Sequence, residues 1–358
     1  MNGSAFIMSD IEGDLQIVKE IFEKHNLLER MRRDDPNDQV LCISLGDTID
    51  RGGGKASQVL EFLLDLKNNQ GFEKNIQILA GNHELSPSIQ KRADQGGFFK
   101  EVTQRRASYA NVEDPACQLA EQVLQWLRAR YPDDLAQHPN VPPLRLALWR
   151  LYNDLFQFCP KQIVTENGLV LGHAGLTDRG PFAAIREDAG SATASFKDGI
   201  EWLANMRNPL DALSPQESAA LEELHRLSVE DLVWSDWDPD VPHTAPNMSR
   251  KFDADGNPLP LALYFGAQAL EKYLEILRAN VMIRGHKREG PDGATHLSQS
   301  LWTAGESLLT INSVGTPQIE FDGQSGEMVE VRRRNYLEVN LRDDITSVTQ
   351  VTVHTLTT

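Results

Sequence analysis

The chain has 358 residues, of which 40% are hydrophobic and 24% are charged, as expected for a soluble globular protein with a full core. Its formal net charge of −17 argues against a general nucleic-acid-binding protein, because most of its surface would repel a phosphate backbone. No apolar stretch has the length of a membrane span, and residues 1–10 lack the basic start and apolar core of a signal peptide, so we expect a soluble cytoplasmic protein.

Strand-like and helix-like segments alternate in the first third of the chain. The apolar runs Ala5–Met8, Val40–Leu45 and Ile76–Ala80 are separated by the amphipathic stretches Leu15–Met31 and Ala56–Leu66. Short apolar runs that alternate with helical patterns are typical of βαβ units. The sequence therefore predicts an α/β fold with a mostly parallel sheet.

The pattern changes between Glu84 and Lys161. Leucine and valine recur there at the i, i+3 and i+4 spacing of a helix, and prolines divide the segment. We predict a helical insertion at about 86–160, between the third strand and a strand that ends at His173.

The rest of the chain carries further strand and helix patterns. We predict helices near Glu217–Leu227 and at Ala267–Ala279, and a loop at Asp236–Pro246. The predicted strands are Leu169–Leu171, Val281–Ile283, Leu308–Asn312, Ile319–Phe321, Met328–Val331 and Ile345–Leu356. With C-terminal strands at about 317–358, residues 1–358 are predicted to form a single domain.

Short polar motifs follow five of the predicted strands. They are Ser9–Asp14, Gly46–Gly52, Gly81–Glu84, Gly172–Gly175 and Arg284–His286. Because open α/β sheets bind ligands at the carboxyl ends of their strands, we expect these side chains to lie together at one edge of a sheet.

The motifs contain residue types that bind metal ions. The candidates are Asp10, Asp47, Asn82, His173 and His286. Hard divalent ions prefer oxygen and imidazole ligands, and a pair of ions needs a group that bridges them. A single Asp at a strand end is more often a helix cap, but five such residues in glycine-containing motifs favour a two-metal phosphoester hydrolase.

From Ser4–Gly315 the chain resembles, in motif order, the phosphoprotein phosphatases of the calcineurin-like metallophosphoesterases. The similarity is strongest at Gly46–Gly52, with the pattern Gly-Asp-x-x-Asp-Arg-Gly, and at Gly81–Glu84. Leu232–Asp236 is similar to the Leu-Leu-Trp-Ser-Asp motif of protein phosphatases, whereas Gly285–Arg288 lacks the Gly-His-x-His pattern of related phosphodiesterases. The resemblance implies a sandwich of two mixed β-sheets flanked by helices, with the helical insertion added.

The resemblance also implies a set of metal ligands. Asp10 would bind one ion, and Asp47 would bridge both. The other ion would be held by Asn82, His173 and His286. A water held between two cations is deprotonated near neutral pH and attacks phosphorus in line, while the metals neutralise the phosphoryl oxygens.

Three catalytic residues are implied in the same way. His83 would protonate the leaving group, since histidine titrates near pH 7, and Asp50 would raise its pKa and fix its tautomer. Arg51 offers a planar fork that matches two phosphate oxygens, and Asn82 would also contact the substrate. A surface salt bridge is the structural alternative for Arg51.

Three departures from the family pattern affect the details. Glu12 replaces a histidine, so the first metal site would be all-carboxylate. Such a site would favour Mn²⁺, with Mg²⁺, Fe and Zn²⁺ left open. The alternative is that Glu12 turns away and that the first site is weak. No second phosphate-binding arginine occurs near Leu259–Phe265, and Arg250 is either its substitute or a solvated side chain. Asn312–Thr316 replaces a Ser-Ala-Pro-Asn-Tyr loop, so the family's tyrosine is missing.

A locally basic segment, Ser88–Arg106, follows the Gly81–Glu84 motif in this acidic protein. It would attract acidic phosphopeptides, and the structural alternative is a solvated helix face.

We therefore predict a metal-dependent protein phosphatase that hydrolyses phosphoserine, phosphothreonine or phosphotyrosine esters on proteins. One alternative is a hydrolase of dinucleoside polyphosphates, because relatives use nearly the same motifs. Another is a pseudo-phosphatase that binds phosphoproteins without turnover, against which His83, Asp50 and Arg51 argue. The predicted partner is a phosphorylated protein or peptide. The helical insertion is also similar to that of secreted bacterial effector phosphatases, so secretion remains an alternative to the cytoplasm.

Overall fold

A computed structural model describes the sheets and the strand ends that carry the polar motifs. The described residues are 3–48, 71–82, 131–137, 159–186, 194–205, 227–247, 263–287, 294–298, 301–313, 318–322, 327–331 and 333–357, with single positions between 59 and 66 and between 124 and 146. The predicted insertion at about 86–160 and the helices near 56–66 and 217–227 lie mainly outside these residues. The single-domain organisation therefore stays a prediction.

In the first third of the chain, the predicted strands and the predicted helical stretch between the first two of them are present, whereas the helix predicted between the second and third strands lies mainly outside the described residues. The strands are β1 (Gly3–Met8), β2 (Gln39–Ser44), β3 (Ile76–Ile78), β4 (Gln162–Val164), β5 (Leu169–Gly172), β6 (Asp236–Trp237), β7 (Thr244–Pro246), β8 (Leu263–Phe265), β9 (Val281–Arg284), β10 (Thr295–Ser298), β11 (Leu301–Ala304), β12 (Leu308–Ile311), β13 (Gln318–Asp322), β14 (Glu327–Val331), β15 (Arg333–Asn340) and β16 (Thr352–Thr357). The α-helices are α1 (Leu15–Lys24), α2 (Leu27–Arg33), α3 (Asp134–Gln137), α4 (Phe196–Asn205) and α5 (Ala267–Ile276). Two 3₁₀ helices lie at Gly180–Ile185 and Val348–Gln350, and residues 227–234 are also helical.

Two mixed sheets form the framework. The first has the order β16-β15-β1-β2-β3, in which β1, β2 and β3 are parallel and β15 is antiparallel to both β1 and β16. The second has the order β10-β11-β12-β9-β5-β4, in which β12, β9 and β5 are parallel. A three-stranded sheet, β6-β8-β7, and the hairpin β13-β14 complete the described strands.

The two sheets pack face to face through alternate side chains of their strands. Ala5 and Ile7 on β1 share one buried cluster with Leu169 and Leu171 on β5, whereas Phe6 faces the cluster formed with α1 and α2. On the far side of the second sheet, strand residues such as Val170 and Met282 pack with α5 and the first 3₁₀ helix. Because side chains alternate along a strand, each sheet buries both faces, and the layers run helix, sheet, sheet, helix.

Some predicted boundaries differ from the structure. The stretch Leu15–Met31 was predicted as one helical element, but it is divided into α1 and α2, because Asn26 adopts a left-handed backbone with φ of 50°. Buried apolar residues continue on both sides of this break, so the hydrophobic period does not reveal it. The predicted loop Asp236–Pro246 contains the short strands β6 and β7, and the predicted strand Ile345–Leu356 begins only at Thr352.

The parallel strands bring their carboxyl ends to one edge of the sandwich. Both sheets contribute, since β1 and β2 belong to the first and β5 and β9 to the second. None of the helices in the described ranges combines the length and apolar character needed to cross a lipid bilayer.

Candidate metal centre

The loops after β1 and β2 run side by side. Asp10 N donates to Gly46 O at 3.0 Å, Glu12 N donates to Asp47 O at 2.9 Å, and Gly13 N donates to Thr48 O at 3.2 Å. This ladder continues beyond the strands. It therefore brings the carboxylates of Asp10, Glu12 and Asp47 to the same place.

Three carboxylates form the first half of the site. Asp10, Glu12 and Asp47 each offer an oxygen, and these oxygens lie within 4.8 Å of one another. The three residues are only 2%, 7% and 2% exposed. Like charges at such separations repel by about 3 kcal/mol per pair at an effective dielectric of about 20. Buried carboxylates in this arrangement fit a bound cation.

Asp47 also belongs to a second group of possible ligands. Its carboxylate and the rings of His173 and His286 offer ligand atoms that again lie within 4.8 Å of one another. Asn82 completes this group, because its Oδ1 lies 2.9 Å from His173 Nε2 and 3.1 Å from His286 Nδ1. The structure thus gathers all six predicted ligands, with Asp47 common to both groups.

The tautomer of His173 follows from its hydrogen bond to the backbone. Nδ1 lies 3.1 Å from Leu45 O, and a carbonyl only accepts, so Nδ1 carries the ring proton and donates. In the neutral ring, Nε2 then presents a lone pair 3.4 Å from Asp47 Oδ1 and 3.2 Å from His286 Nδ1. This convergence of acceptor atoms, with the far ring nitrogen anchored on a carbonyl, fits a divalent metal ion.

The backbone at the candidate ligands is strained. Asp10, Glu12, Asp47 and His286 have φ values of 50°, 48°, 50° and 73°, in the left-handed region. Such conformations cost residues other than glycine roughly 1–3 kcal/mol each and persist where the surroundings enforce them. Four candidate ligands sharing this feature indicate that the fold holds them in place against local preference.

Gly46 lets the β2 loop approach the end of β3. Its φ is +103°, and a Cβ there would lie 2.5 Å from Gly81 N and 3.0 Å from His173 Nδ1. A side chain at this position would therefore push apart the segments that carry Asp47, Asn82 and His173.

The segment Trp234–Asp236 packs against His286. The Trp234 and His286 rings meet edge to face with centroids 5.6 Å apart, and Asp236 Oδ1 lies 3.9 Å from His286 Nε2. Asp236 is in turn held by Lys287 Nζ at 3.3 Å and by Asn247 Nδ2, which donates at 3.2 Å. At 3.9 Å the two groups are too far apart for a hydrogen bond, so Asp236 acts on the His286 ring through its negative charge.

A fully buried arginine supports the loops beneath the site. Arg284 donates through Nη1 to Ala174 O and to Ser235 O, and through Nε to the Thr310 hydroxyl at 3.2 Å. Its guanidinium also lies 5.6 Å from the Phe265 ring centroid. Sequence reasoning placed Arg284 in a motif without giving it a role, since an arginine at the end of an apolar strand carries no signal for what it contacts.

A buried carboxyl lies one helical turn before the Trp234–Asp236 segment. Asp231 accepts from the Thr177 hydroxyl at 2.9 Å and from Arg179 Nε at 2.8 Å. Burial raises the pKa of Asp231 to about 7, and Arg179 and Thr177 oppose this shift. The desolvation of the charged carboxylate outweighs the attraction of the guanidinium.

Three predicted catalytic residues, Asp50, Arg51 and His83, lie outside the described residues, as does Arg250. The basic segment Ser88–Arg106 also lies outside them. Their roles stay predictions. Residues that sequence reasoning did not single out, besides Arg284, are Ser9 and Ser313, which contact the loop that carries Asp10.

Fold and site together define an α/β metallohydrolase, with two facing mixed sheets and clustered carboxylates and histidines at the strand ends. The sequence model of the calcineurin-like phosphoesterases matches residues 5–287, so the chain belongs to that family and is a hydrolase of phosphoesters. This confirms the family and the fold predicted from the motifs. The family uses a pair of divalent metal ions, and the clustered side chains are candidate ligands for them.

Solved structures of phosphatases are similar to the chain at low identity. A protein serine/threonine phosphatase from Saccharomyces cerevisiae, with similarity to human phosphatase PP5, is 15% identical with a TM-score of 0.49, over 99% of this chain and 80% of that one. A cold-active protein-tyrosine phosphatase from a psychrophilic Shewanella species is 15% identical with a TM-score of 0.41, over 99% and 81% of the two chains. Neither similarity identifies a substrate for this chain. No curated protein matches the sequence.

Proposed function

We propose that the chain is a metal-dependent protein phosphatase that hydrolyses phosphomonoesters on protein or peptide substrates. The family match supports phosphoester hydrolysis, and the geometry of the site supports a binuclear centre. The protein substrate is inferred from the motifs.

One divalent ion would be held by Asp10 and Glu12, and Asp47 would be shared by both ions. The second ion would be held by Asn82, His173 and His286. The first group is rich in oxygen, which favours Mn²⁺ or Mg²⁺ over softer ions. When bound, the metal pair supplies an ionised water near neutral pH and neutralises charge on the phosphoryl oxygens.

The chain's own residues position these groups. Leu45 O fixes the tautomer of His173, and Asp236 lies behind His286. The remaining steps are assigned to residues whose roles rest on the motifs. Arg51 would bind the phosphate, and His83, oriented by Asp50, would donate the proton to the leaving alkoxide or phenoxide.

The contact of Trp234–Asp236 with His286 is the observation that carries the protein-phosphatase assignment. The Leu232–Asp236 motif is similar to one found in protein phosphatases, and in this structure its Trp234 and Asp236 lie beside a candidate metal ligand, His286. A motif that shapes the site supports the branch of the family in which that motif occurs.

The test compares substrate classes on one enzyme preparation. The chain, freed of metal and reconstituted with Mn²⁺, is assayed on phosphoserine, phosphothreonine and phosphotyrosine peptides and on diadenosine tetraphosphate, with Asp47→Asn as the inactive control. We expect turnover of at least one phosphopeptide at a kcat/KM well above that for the dinucleotide.

The other outcomes identify the alternatives. Preferred turnover of diadenosine tetraphosphate would replace the proposal with a dinucleoside polyphosphate hydrolase. Binding of a phosphopeptide by the Mn²⁺-loaded chain without release of phosphate would indicate a pseudo-phosphatase.

A further inference from the structure

We propose that Ser9 is a positioning residue for the metal centre. Together with Gly285 and Ser313 it forms a clamp, here called the Ser9 clamp, that fixes the Asp10 carboxylate and joins the two sheets at the site. The inference rests on the proposed metal-dependent function, because Asp10 acts there as a ligand.

Ser9 holds one oxygen of the Asp10 carboxylate. Its side chain is fully buried, and its Oγ donates to Asp10 Oδ2 at 2.6 Å. His286 N donates to the same oxygen at 2.9 Å. Hydrogen bonds to a carboxylate are short and about twice as strong as those between neutral groups. Two donors on a single oxygen therefore restrict the rotation of the carboxylate and set the direction of its ligand atom.

Ser313 fixes Ser9 in turn. Ser9 N donates to Ser313 Oγ at 3.0 Å, and Ser313 N donates to Ser9 O at 2.9 Å. Ser9 follows β1 of the first sheet, whereas Ser313 follows β12 of the second. This reciprocal pair is therefore a direct link between the sheets beside the candidate ligands.

Gly285 provides the space that the Ser9 hydroxyl occupies. A Cβ at this position would overlap Ser9 Oγ and lie 2.6 Å from Asp10 Oδ2. Gly285 N also donates to His173 O at 2.8 Å, so a displaced Gly285 would move a second candidate ligand. The requirement for glycine thus arises from close packing against the clamp.

The clamp contacts residues of both metal-binding groups. Asp10 belongs to the carboxylate group, and His286 to the histidine group. Because Asp10 Oδ2 accepts from His286 N, a change at Ser9 is expected to alter both groups together. Residues that orient metal ligands typically change metal affinity 10–100-fold when they are removed.

The first experiment measures Mn²⁺ binding to purified Ser9→Ala by calorimetry and by the electron paramagnetic resonance signal of free Mn²⁺. We expect Kd to rise about 10–100-fold, while the thermal midpoint of the metal-free protein changes little. Thr165→Ala is the matched control, because the Thr165 hydroxyl is also hydrogen-bonded, to Asn167 Oδ1 at 2.6 Å and from Leu169 N at 3.0 Å, but lies at the opposite end of β5 from His173. An Mn²⁺ affinity of Ser9→Ala within twofold of the wild type, or a loss of affinity equal to that of Thr165→Ala, would overturn the proposal.

The second experiment exploits the contact between Ser9 and Gly285. Gly285→Ala alone should weaken Mn²⁺ binding severely. The Ser9→Gly/Gly285→Ala double variant should recover part of that affinity, because the overlap with the Ser9 side chain is gone while the contact of the methyl group with Asp10 Oδ2 remains. A double variant with no more affinity for Mn²⁺ than Gly285→Ala would contradict the clamp.

Activity assays separate this proposal from the proposed function. If the wild type binds Mn²⁺ but hydrolyses no phosphopeptide, the phosphatase assignment fails, and the binding data still decide the role of Ser9. If the wild type is active and Ser9→Ala binds Mn²⁺ normally, the phosphatase assignment stands and the clamp fails.

Discussion

Asp47 belongs to both groups of candidate ligands, because its carboxylate lies within 4.8 Å of the other ligand atoms in each group. Its left-handed backbone and the close approach of Gly46 to Gly81 leave it little freedom to move. A residue in this position affects both metal ions at once.

We expect Asp47→Asn to abolish turnover and to lower the metal content of the purified protein. A neutral amide bridges two cations poorly, because it lacks the second anionic oxygen. Metal content is measured by elemental analysis, and activity by phosphate release. Near-normal activity with two ions bound would rule out Asp47 as the shared ligand.

Glu12 is the candidate ligand at which the motifs of this chain differ from the pattern that the sequence resemblance predicts. The structure places the Glu12 carboxylate in one group with those of Asp10 and Asp47, as expected if Glu12 faces the site. An additional carboxylate should favour hard ions and leave a bound water less acidic.

We therefore expect higher activity with Mn²⁺ than with Zn²⁺, and a Glu12→His variant whose pH optimum moves toward acid. The measurements are rate profiles against pH for both proteins with each metal. Glu12→Ala serves as the control, and unchanged metal content and rate in that variant would mean that Glu12 is not a ligand.

Strand β9 leads to the candidate ligand His286 and also provides the support beneath it. Its last residue, Arg284, is fully buried and joins the loop after His173 to Ser235 and β12. The guanidinium thus satisfies backbone carbonyls that would otherwise be buried without donors.

We expect Arg284→Met to lower the free energy of unfolding by roughly 2–5 kcal/mol, because the carbonyls of Ala174 and Ser235 lose their donors inside the protein. Arg186→Met is the matched control, since Arg186 is about half exposed and its ion pair with Asp178 should contribute less than about 1 kcal/mol. Urea unfolding of the metal-free proteins measures both. Equal losses in the two variants would contradict the structural role of Arg284.

The helix that leads to Trp234 should make stability depend on pH. The folded-state pKa of Asp231 is about 7 and its ordinary value is 3.8, so the folded chain keeps a proton that the unfolded chain has released between these values. Stability should therefore fall as pH rises through this window and level off above it.

Between pH 5 and pH 8 the free energy of unfolding should fall further in the wild type than in Asp231→Asn, by roughly 1–3 kcal/mol, because the amide does not titrate. Asp198→Asn is the control, as Asp198 is exposed and its hydrogen bonds with Ser195 lower its pKa. Urea unfolding at the two pH values gives the comparison. Identical pH slopes for wild type and Asp231→Asn would show that Asp231 is already charged in the folded state.

The strands that carry the site were predicted from the sequence more accurately than the elements around them. The runs at β1, β2, β5 and β9 are short and mostly apolar because both faces of each sheet are buried, so their pattern is plain. By contrast, no separate run marked β15 within the C-terminal strands predicted at about 317–358, because polar residues such as Arg334 and Asn335 interrupt its alternation. The contacts of Ser9 with Ser313 could not be predicted either, since they depend on how two sheets meet.

At the scale of the whole molecule, the metal centre lies between two sheets. Asp10 and Asp47 extend from the first sheet, and His173 and His286 from the second. Metal bound there should resist separation of the sheets, in addition to its role in catalysis.

Saturating Mn²⁺ should therefore raise the thermal midpoint of the metal-free protein by several degrees. Ligand at 100 times Kd contributes about 2.7 kcal/mol to stability, and the unfolding entropy of a chain of 358 residues converts this into a shift of about 1–2 °C per kcal/mol. Differential scanning calorimetry before and after chelation measures the shift. The same shift in Asp47→Asn would mean that the ion binds elsewhere.

The link between Ser9 and Ser313 spans 304 residues of sequence. A nascent chain on the ribosome therefore carries Asp10 and Asp47 long before His286, after β9, and Ser313, after β12, have been synthesised. Until then, the strands of the second sheet cannot pack against Asp10 and Asp47, and the contacts that enforce the left-handed backbone at these residues are missing. Metal loading should consequently be one of the last events in the biogenesis of this enzyme, and a translation arrest before Ser313 should leave a chain that cannot retain its ions.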